Sequence, residues 1–249
     1  MTSFELSPQR YARIGGVLYL AIILLGMFGE LYVRGTLVVP GNAEATAQAI
    51  SNSPFLWRAG LVGDLLMHVC DLPVILVMYL LLKPVSENLA LLATWVNLIQ
   101  TAVLVANKLN LMVPLFLLDK VGYLKAFSPE QLHALSQLAI KAHGYGFAIG
   151  LIFFGFACLV RGYLIYRAGY FPKILGVLIF GAGLSYLANS FAALLAPAFA
   201  SLIFPAVLVP AFVGELSFCL WLIVKGVDVR QWNQRVGLQS AGPSTEKIT

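Results

Sequence analysis

Apolar residues occupy six long blocks of the chain, separated by short polar breaks. The blocks cover about 12–34, 56–82, 88–118, 139–161, 172–196 and 202–225. A helix rises about 1.5 Å per residue, so roughly 20 apolar residues cross the hydrocarbon core of a bilayer. Every block meets that length, and the long third can tilt or protrude. Two shorter elements lie between blocks. Asn42 follows Pro40-Gly41 and can cap an amphipathic helix through about Ser51. Ser128-Pro129-Glu130-Gln131 has the form of a capping box with proline at the first helical position. It predicts a helix that runs along the interface before entering as the fourth span. After Asp228 the chain is polar and contains Gly242-Pro243-Ser244, which predicts disorder. The expected fold is an all-α, polytopic transmembrane bundle of six spanning helices with short interfacial helices. It comprises a membrane domain over 1–228 and a polar, disordered cytoplasmic tail over 229–249.

Composition agrees with the blocks. Hydrophobic residues make up 60% of the chain and charged residues 11%. A soluble domain carries about 25% charged residues, so the missing polar surface implies lipid as the solvent. The net charge of +5 does not point to nucleic acid, because the basic residues sit at block ends rather than in a patch among aromatics. Cys70, Cys158 and Cys219 all fall inside apolar blocks and read as buried thiols. Arg10 and Arg13 before an apolar run resemble a signal peptide. The run is long for one, however, and ends at Glu30 and Arg34, so it is expected to stay as the first helix.

Lysine and arginine set the expected orientation. With the N-terminus inside, the inner segments carry Arg10, Arg13, Lys83, Arg161, Arg167, Lys173, Lys225, Arg230, Arg235 and Lys247. The outer segments carry Arg34, Arg58, Lys120 and Lys125. Ten against four favours both termini in the cytoplasm and a multi-pass protein of the cell membrane. Trp57, Trp95 and Trp221 fall near helix ends, as interfacial anchors do.

The candidate chemistry lies inside the spans. A charge at the bilayer centre costs about 2.5–3.5 kcal/mol on insertion scales. Asp64, Asp71 and Glu215 therefore need protonation, a partner, water or a ligand. Asp64, His68 and Asp71 are spaced i, i+4, i+7 and share an arc of about 60° on the second helix. Pro73 follows and leaves the Val69 carbonyl without its helical donor. The first helix adds Glu30, the third Asn107 and Asn110, the fourth Lys141, His143 and Tyr145, the fifth Asn189 and Ser190. Placed by depth, these residues gather in the outer half of the membrane. They predict a polar funnel that opens outward and ends at the midplane.

Each element also has a plainer reading. Glu30 can pair with Arg34 at i+4. The asparagines and Ser190 can bind helices together by hydrogen bonds. Lys141 can reach the outer surface, and Tyr145 can sit at the interface. Gly146 and Gly150 predict a close helix contact. Asp64, His68, Asp71 and His143 also form a nitrogen and oxygen donor set that suits a divalent metal such as zinc.

The residues Arg13-Ile14-Gly15-Gly16-Val17-Leu18-Tyr19-Leu20, Gly29-Glu30-Leu31-Tyr32-Val33-Arg34 and Gly63-Asp64-Leu65-Leu66 with Asp71 carry a resemblance. So do His143-Gly144-Tyr145-Gly146 and Arg161-Gly162-Tyr163-Leu164. The chain resembles a bacterial multi-pass membrane family catalogued as domain of unknown function 4386, from about Arg13 to about Val224. The resemblance implies a helical membrane protein and no activity. Three functions fit the residues. One is binding or transport of a cation, proton or small solute. The second is a membrane-embedded metal-dependent hydrolase acting on lipid, with Glu30 or Glu215 as base. The third is a structural or accessory role. The expected partners are the lipid bilayer and a small solute or lipid ligand.

Overall fold

The computed structural model describes residues 7–119 and 122–240. Six helices in it are long and apolar enough to cross a membrane: α1 (Pro8–Leu37), α3 (Pro54–Leu82), α4 (Glu87–Leu117), α5 (Pro129–Ala168), α6 (Lys173–Leu195) and α8 (Ala206–Val224). The short helices α2 (Ala43–Asn52) and α7 (Pro197–Ile203) lie between spans, and α9 (Val229–Ser240) follows the last. No strand occurs among the described residues. The chain is an all-α, multi-pass membrane protein.

Local chemistry fixes the helix ends. Ser7 accepts from the Arg10 N–H ahead of Pro8, Asn42 from Ala45, and Ser86 from Leu89, each satisfying an N–H that the first turn leaves free. Ser128 and Gln131 complete the expected capping box. The helix it starts continues for 40 residues to Ala168 and stops at Gly169, where φ is 83°. The helix expected to start at this cap and enter as the fourth span is continuous from the cap onward. Likewise α9 occupies the start of the expected disordered tail, with Asp228 accepting from the Gln231 N–H at 3.1 Å. The remainder of the tail, 241–249, lies outside the described residues.

The spans form a ring in sequence order. α1 packs on α3, α3 on α4, α4 on α5, α5 on α6, α6 on α8, and α8 returns to α1. The tightest junction is α5 with α6, where glycines bring backbones together. A Cβ on Gly162 would stand 2.6 Å from the Phe180 nitrogen, and one on Gly176 2.5 Å from the Tyr166 nitrogen. Gly146 and Gly150 make the close contact expected of them, against Asn107 and Leu104 of α4. The outer circumference is apolar and exposed, through residues such as Val17, Leu66, Leu98, Phe156, Leu184 and Leu220. This is the surface lipid covers.

Two apolar clusters close the interior. One, around Leu81, Leu82, Leu164, Ile165, Phe218 and Leu222, fills the end where α1 begins. The other, around Val33, Leu37, Ile50, Trp57, Leu61 and Leu111, fills the opposite end. Trp57 therefore is no interfacial anchor. It is 2% exposed, and its Nε1 donates to the Leu111 carbonyl at 2.8 Å. The polar side chains lie between these clusters.

Candidate functional site

The predicted face of α3 does point inward. Asp64 and His68 are buried, and Asp71 is half-buried. Its residues do not line one funnel, however. They divide into two clusters, each completed by side chains from other helices.

The first cluster is built on Asp64. Near its end α1 widens into a π-helix over Phe28–Arg34, a distortion that re-aims side chains. It turns Arg34 inward and puts buried Gly29 against the Asp64 carboxylate, where a Cβ would collide with it. Arg34 Nη1 donates to Asp64 Oδ2 at 2.7 Å and Nη2 to Oδ1 at 3.3 Å, while Nε donates to Glu30 Oε2 at 2.7 Å. Glu30 thus makes the expected i+4 pair and stays exposed, at 54% of its side chain. Lys108 is the second cation on Asp64. It stands at a break in α4, is 3% exposed, and its Nζ lies 3.0 Å from Asp64 Oδ2 and 3.4 Å from His143 Nε2. Asn107 donates to the His143 carbonyl and Asn110 to Asn107. Four helices are tied at this point: α1, α3, α4 and α5. The charges of Glu30, Arg34, Asp64 and Lys108 cancel.

The second cluster lies deeper. Asp71 Oδ2 accepts from Thr101 at 2.5 Å and from Asn97 at 3.2 Å. Asn97 also donates to Gln100 Oε1 at 2.8 Å. Across the ring, Glu215 Oε1 accepts from the Tyr186 hydroxyl at 2.8 Å, and Tyr19 of α1 is its second phenol. Arg161 of α5 is 7% exposed and lies within electrostatic reach of both carboxylates. Its Nη2 has no hydrogen-bond partner, nor has Asn97 Oδ1. His68 stands one turn from each end of the stripe. It is 3% exposed, within electrostatic reach of Asp64 and Lys108, and its Nε2 is unpartnered.

Several expectations change. Tyr145 is exposed and outside both clusters, because two residues after His143 a helix has turned about 200°. Asn189 is half-buried and joins neither cluster's hydrogen bonds among the described residues. Arg161 is no loop charge, since α5 runs seven residues beyond it to Ala168. The metal set does not fit. Among the described residues no three His, Cys, Asp or Glu side chains converge as metal ligands. The Lys108 ammonium contacts both Asp64 and His143, and Asp71 turns to α4. Sequence reasoning missed Lys108, Arg161, Asn97, Thr101, Tyr19 and Tyr186. For Lys108 the signal was present, since it falls well inside the third apolar block.

The description domain of unknown function (DUF4386) belongs to the family whose model matches residues 14–226, and the chain is a member of that family. An uncharacterized protein of Archaeoglobus fulgidus is 29% identical over 166 residues, which is 67% of this chain and 83% of the relative. No solved structure matches the chain.

Proposed function

We propose that this member of the DUF4386 family is a proton-linked carrier of a small solute. The observation that carries the reading is the inward stripe of α3. Asp64, His68 and Asp71 connect a charge-compensated lock, Arg34–Asp64–Lys108, to a deeper centre with two carboxylates and an arginine. Ionisable groups are kept at such depth for ion or proton handling far more readily than for packing. A buried imidazole between two acidic positions is a suitable intermediate acceptor. The lock would close the end opposite the chain termini, and its opening would expose the deeper centre. Both termini face the cytoplasm of the cell membrane in this reading. The basic-residue balance still favours that orientation after Arg161 is removed from it. The lipid-hydrolase alternative loses its support with the metal set.

The test uses proteoliposomes loaded with a pH-sensitive dye. With a potassium diffusion potential imposed, panels of amino acids, monocarboxylates and amines are added in turn. The expected result is proton movement stimulated by one class and abolished in Asp71→Asn. Proton movement equal to that of protein-free vesicles with every class would overturn the carrier reading.

A further inference from the structure

Helices α3 and α4 meet at a knot of oxygen-bearing side chains. Asp71 of α3 binds Asn97 and Thr101 of α4, and Gln100 of α4 binds Asn97. The three α4 residues are spaced i, i+3 and i+4, so they share one helical face. All three are buried, and Asn97 is 0% exposed.

Oxygens outnumber protons in this knot. Thr101 Oγ1 carries one proton and has three oxygen neighbours: Asp71 Oδ2 at 2.5 Å, the Asn97 carbonyl at 3.1 Å and Gln100 Oε1 at 3.5 Å. The two protons of Asn97 Nδ2 go to Asp71 Oδ2 at 3.2 Å and to Gln100 Oε1 at 2.8 Å. Asp71 Oδ1 receives no donor among the described residues, and neither does the buried Asn97 Oδ1. A buried acceptor without a donor is costly. A plain hydrogen-bonded clasp between helices would not need the surplus.

The charge is also unmet. Arg34 and Lys108 are held on Asp64, and no cation among the described residues lies within 4.0 Å of Asp71. An ionised carboxylate inside a span is expensive without a counter-charge. One hard monovalent cation remedies both deficits. Carboxylate, amide and hydroxyl oxygens suit hard ions, whereas zinc and copper prefer nitrogen and sulfur. The single carboxylate sets the charge: a monovalent ion leaves the knot neutral, and a divalent ion leaves it positive. Ligands about 2.4 Å from an ion stand roughly 3 Å apart. The oxygen separations of 2.5 and 3.5 Å bracket that spacing, which suits sodium better than the larger potassium.

We propose that Asp71, Asn97, Gln100 and Thr101 form a sodium-binding site between α3 and α4. Asp71 supplies the charge, and Gln100 Oε1 and Thr101 Oγ1 supply neutral oxygens. The Thr101 proton goes to the Asn97 carbonyl. Asn97 joins by turning its amide about the last side-chain bond, which puts Oδ1 where Nδ2 bridges Asp71 and Gln100. Sodium and the proton of the carrier reading compete for this carboxylate, but the site does not rest on that reading.

Binding of radioactive sodium to the purified protein in detergent tests the site, with choline holding the ionic strength constant. The wild type is expected to bind one sodium ion per chain, saturably. Asp71→Asn removes the charge and abolishes binding. Thr101→Val keeps the branched shape without the oxygen and weakens binding by about tenfold or more, whereas Thr101→Ser keeps it. Glu87→Gln, which alters an exposed carboxylate at the start of α4, leaves binding unchanged. The wild-type measurement needs no variant, and the two Thr101 variants decide the location if Asp71→Asn does not fold. A wild type that binds no more than protein-free micelles would overturn the site and leave a clasp of hydrogen bonds. Binding that survives in folded Asp71→Asn, or that is equal in Thr101→Val and Thr101→Ser, would also overturn it. So would calcium that displaces the label more strongly than sodium does. Binding is read at equilibrium in detergent and flux in vesicles, so this site and the carrier reading fail separately.

Discussion

Replacing Asp64 by asparagine removes the negative charge that Arg34 and the buried Lys108 share. Arg34 Nη1 and Lys108 Nζ lie 2.7 and 3.0 Å from the same oxygen, so they stand no more than about 6 Å apart. At an effective dielectric of about 20, two unit charges at that distance repel by about 3 kcal/mol. Mutational experience with buried pairs gives a similar scale, about 3–5 kcal/mol when one partner is lost. Lys108→Met should cost less, about half as much, because Arg34 still holds Asp64 with two hydrogen bonds. The double variant Asp64→Asn, Lys108→Met has lost both the attraction and the repulsion. It should be more stable than Asp64→Asn alone, with a coupling energy of about 2 kcal/mol. Equilibrium unfolding in mixed micelles, followed by tryptophan fluorescence, measures all four proteins. If the two single effects simply add, the cations are not held against one carboxylate and the lock does not exist.

Gly29→Ala places a methyl group where the Asp64 carboxylate lies and should destabilise by about 1–3 kcal/mol, as overpacking does. The same assay should show most of that loss absent in an Asp64→Ala background. Gly162→Val pushes into the α6 backbone, which cannot move aside as a side chain can. It should exceed the effect of Gly144→Val, whose added Cβ meets nothing within 4 Å, by about 2 kcal/mol or more. Tyr170→Phe removes a buried donor to the Leu81 carbonyl and should cost about 1 kcal/mol. At the start of α9, the Gln231 N–H donates to Asp228 and holds its carboxyl below the usual range. A depressed folded value stabilises α9 above the unfolded pKa, and this stabilisation is lost as pH falls through the folded value. Amide protection in Val229–Ser240, taken relative to the intrinsic exchange rate at each pH, should therefore fall below about pH 4, and Asp228→Asn should weaken that acid dependence.

The number of spans was legible because lipid imposes a minimum length of apolar sequence that no other environment requires. Their ends were less so. Apolar blocks mark the part of a helix within hydrocarbon, whereas backbone capping decides where it begins and stops. The fourth block, 139–161, is the middle of a helix that runs from Ser128's cap to Gly169. Arg161 looked like a block end for that reason, although it is buried two turns inside. Trp57 misled differently. Its position near a helix start fits an anchor, but α2 and α4 cover it, and only tertiary packing reveals that cover.

The α3 stripe shows most clearly where sequence reasoning stops. Spacing makes Asp64 and Asp71 equivalent: two acids on one helical face, two turns apart. Their roles separate only when the cations are assigned, and those come from helices distant in sequence whose register depends on backbone approach at glycines. Arg34 and Lys108 are committed to Asp64, which leaves its cluster neutral and with no demand for a further charge. Asp71 has no cation within ion-pair distance among the described residues and accepts only from Thr101 and Asn97. In the proposed carrier, solvation cost separates their roles. The compensated acid holds helices together and can release them only by breaking two ion pairs. In the same reading Asp71, which no cation holds, is the acid that gains and loses a proton. A device that couples a proton to a conformational change needs both kinds of site, one that titrates and one that latches. In the proposed carrier, His68, unpartnered at Nε2 and midway along the stripe, is the group through which a change at one would reach the other.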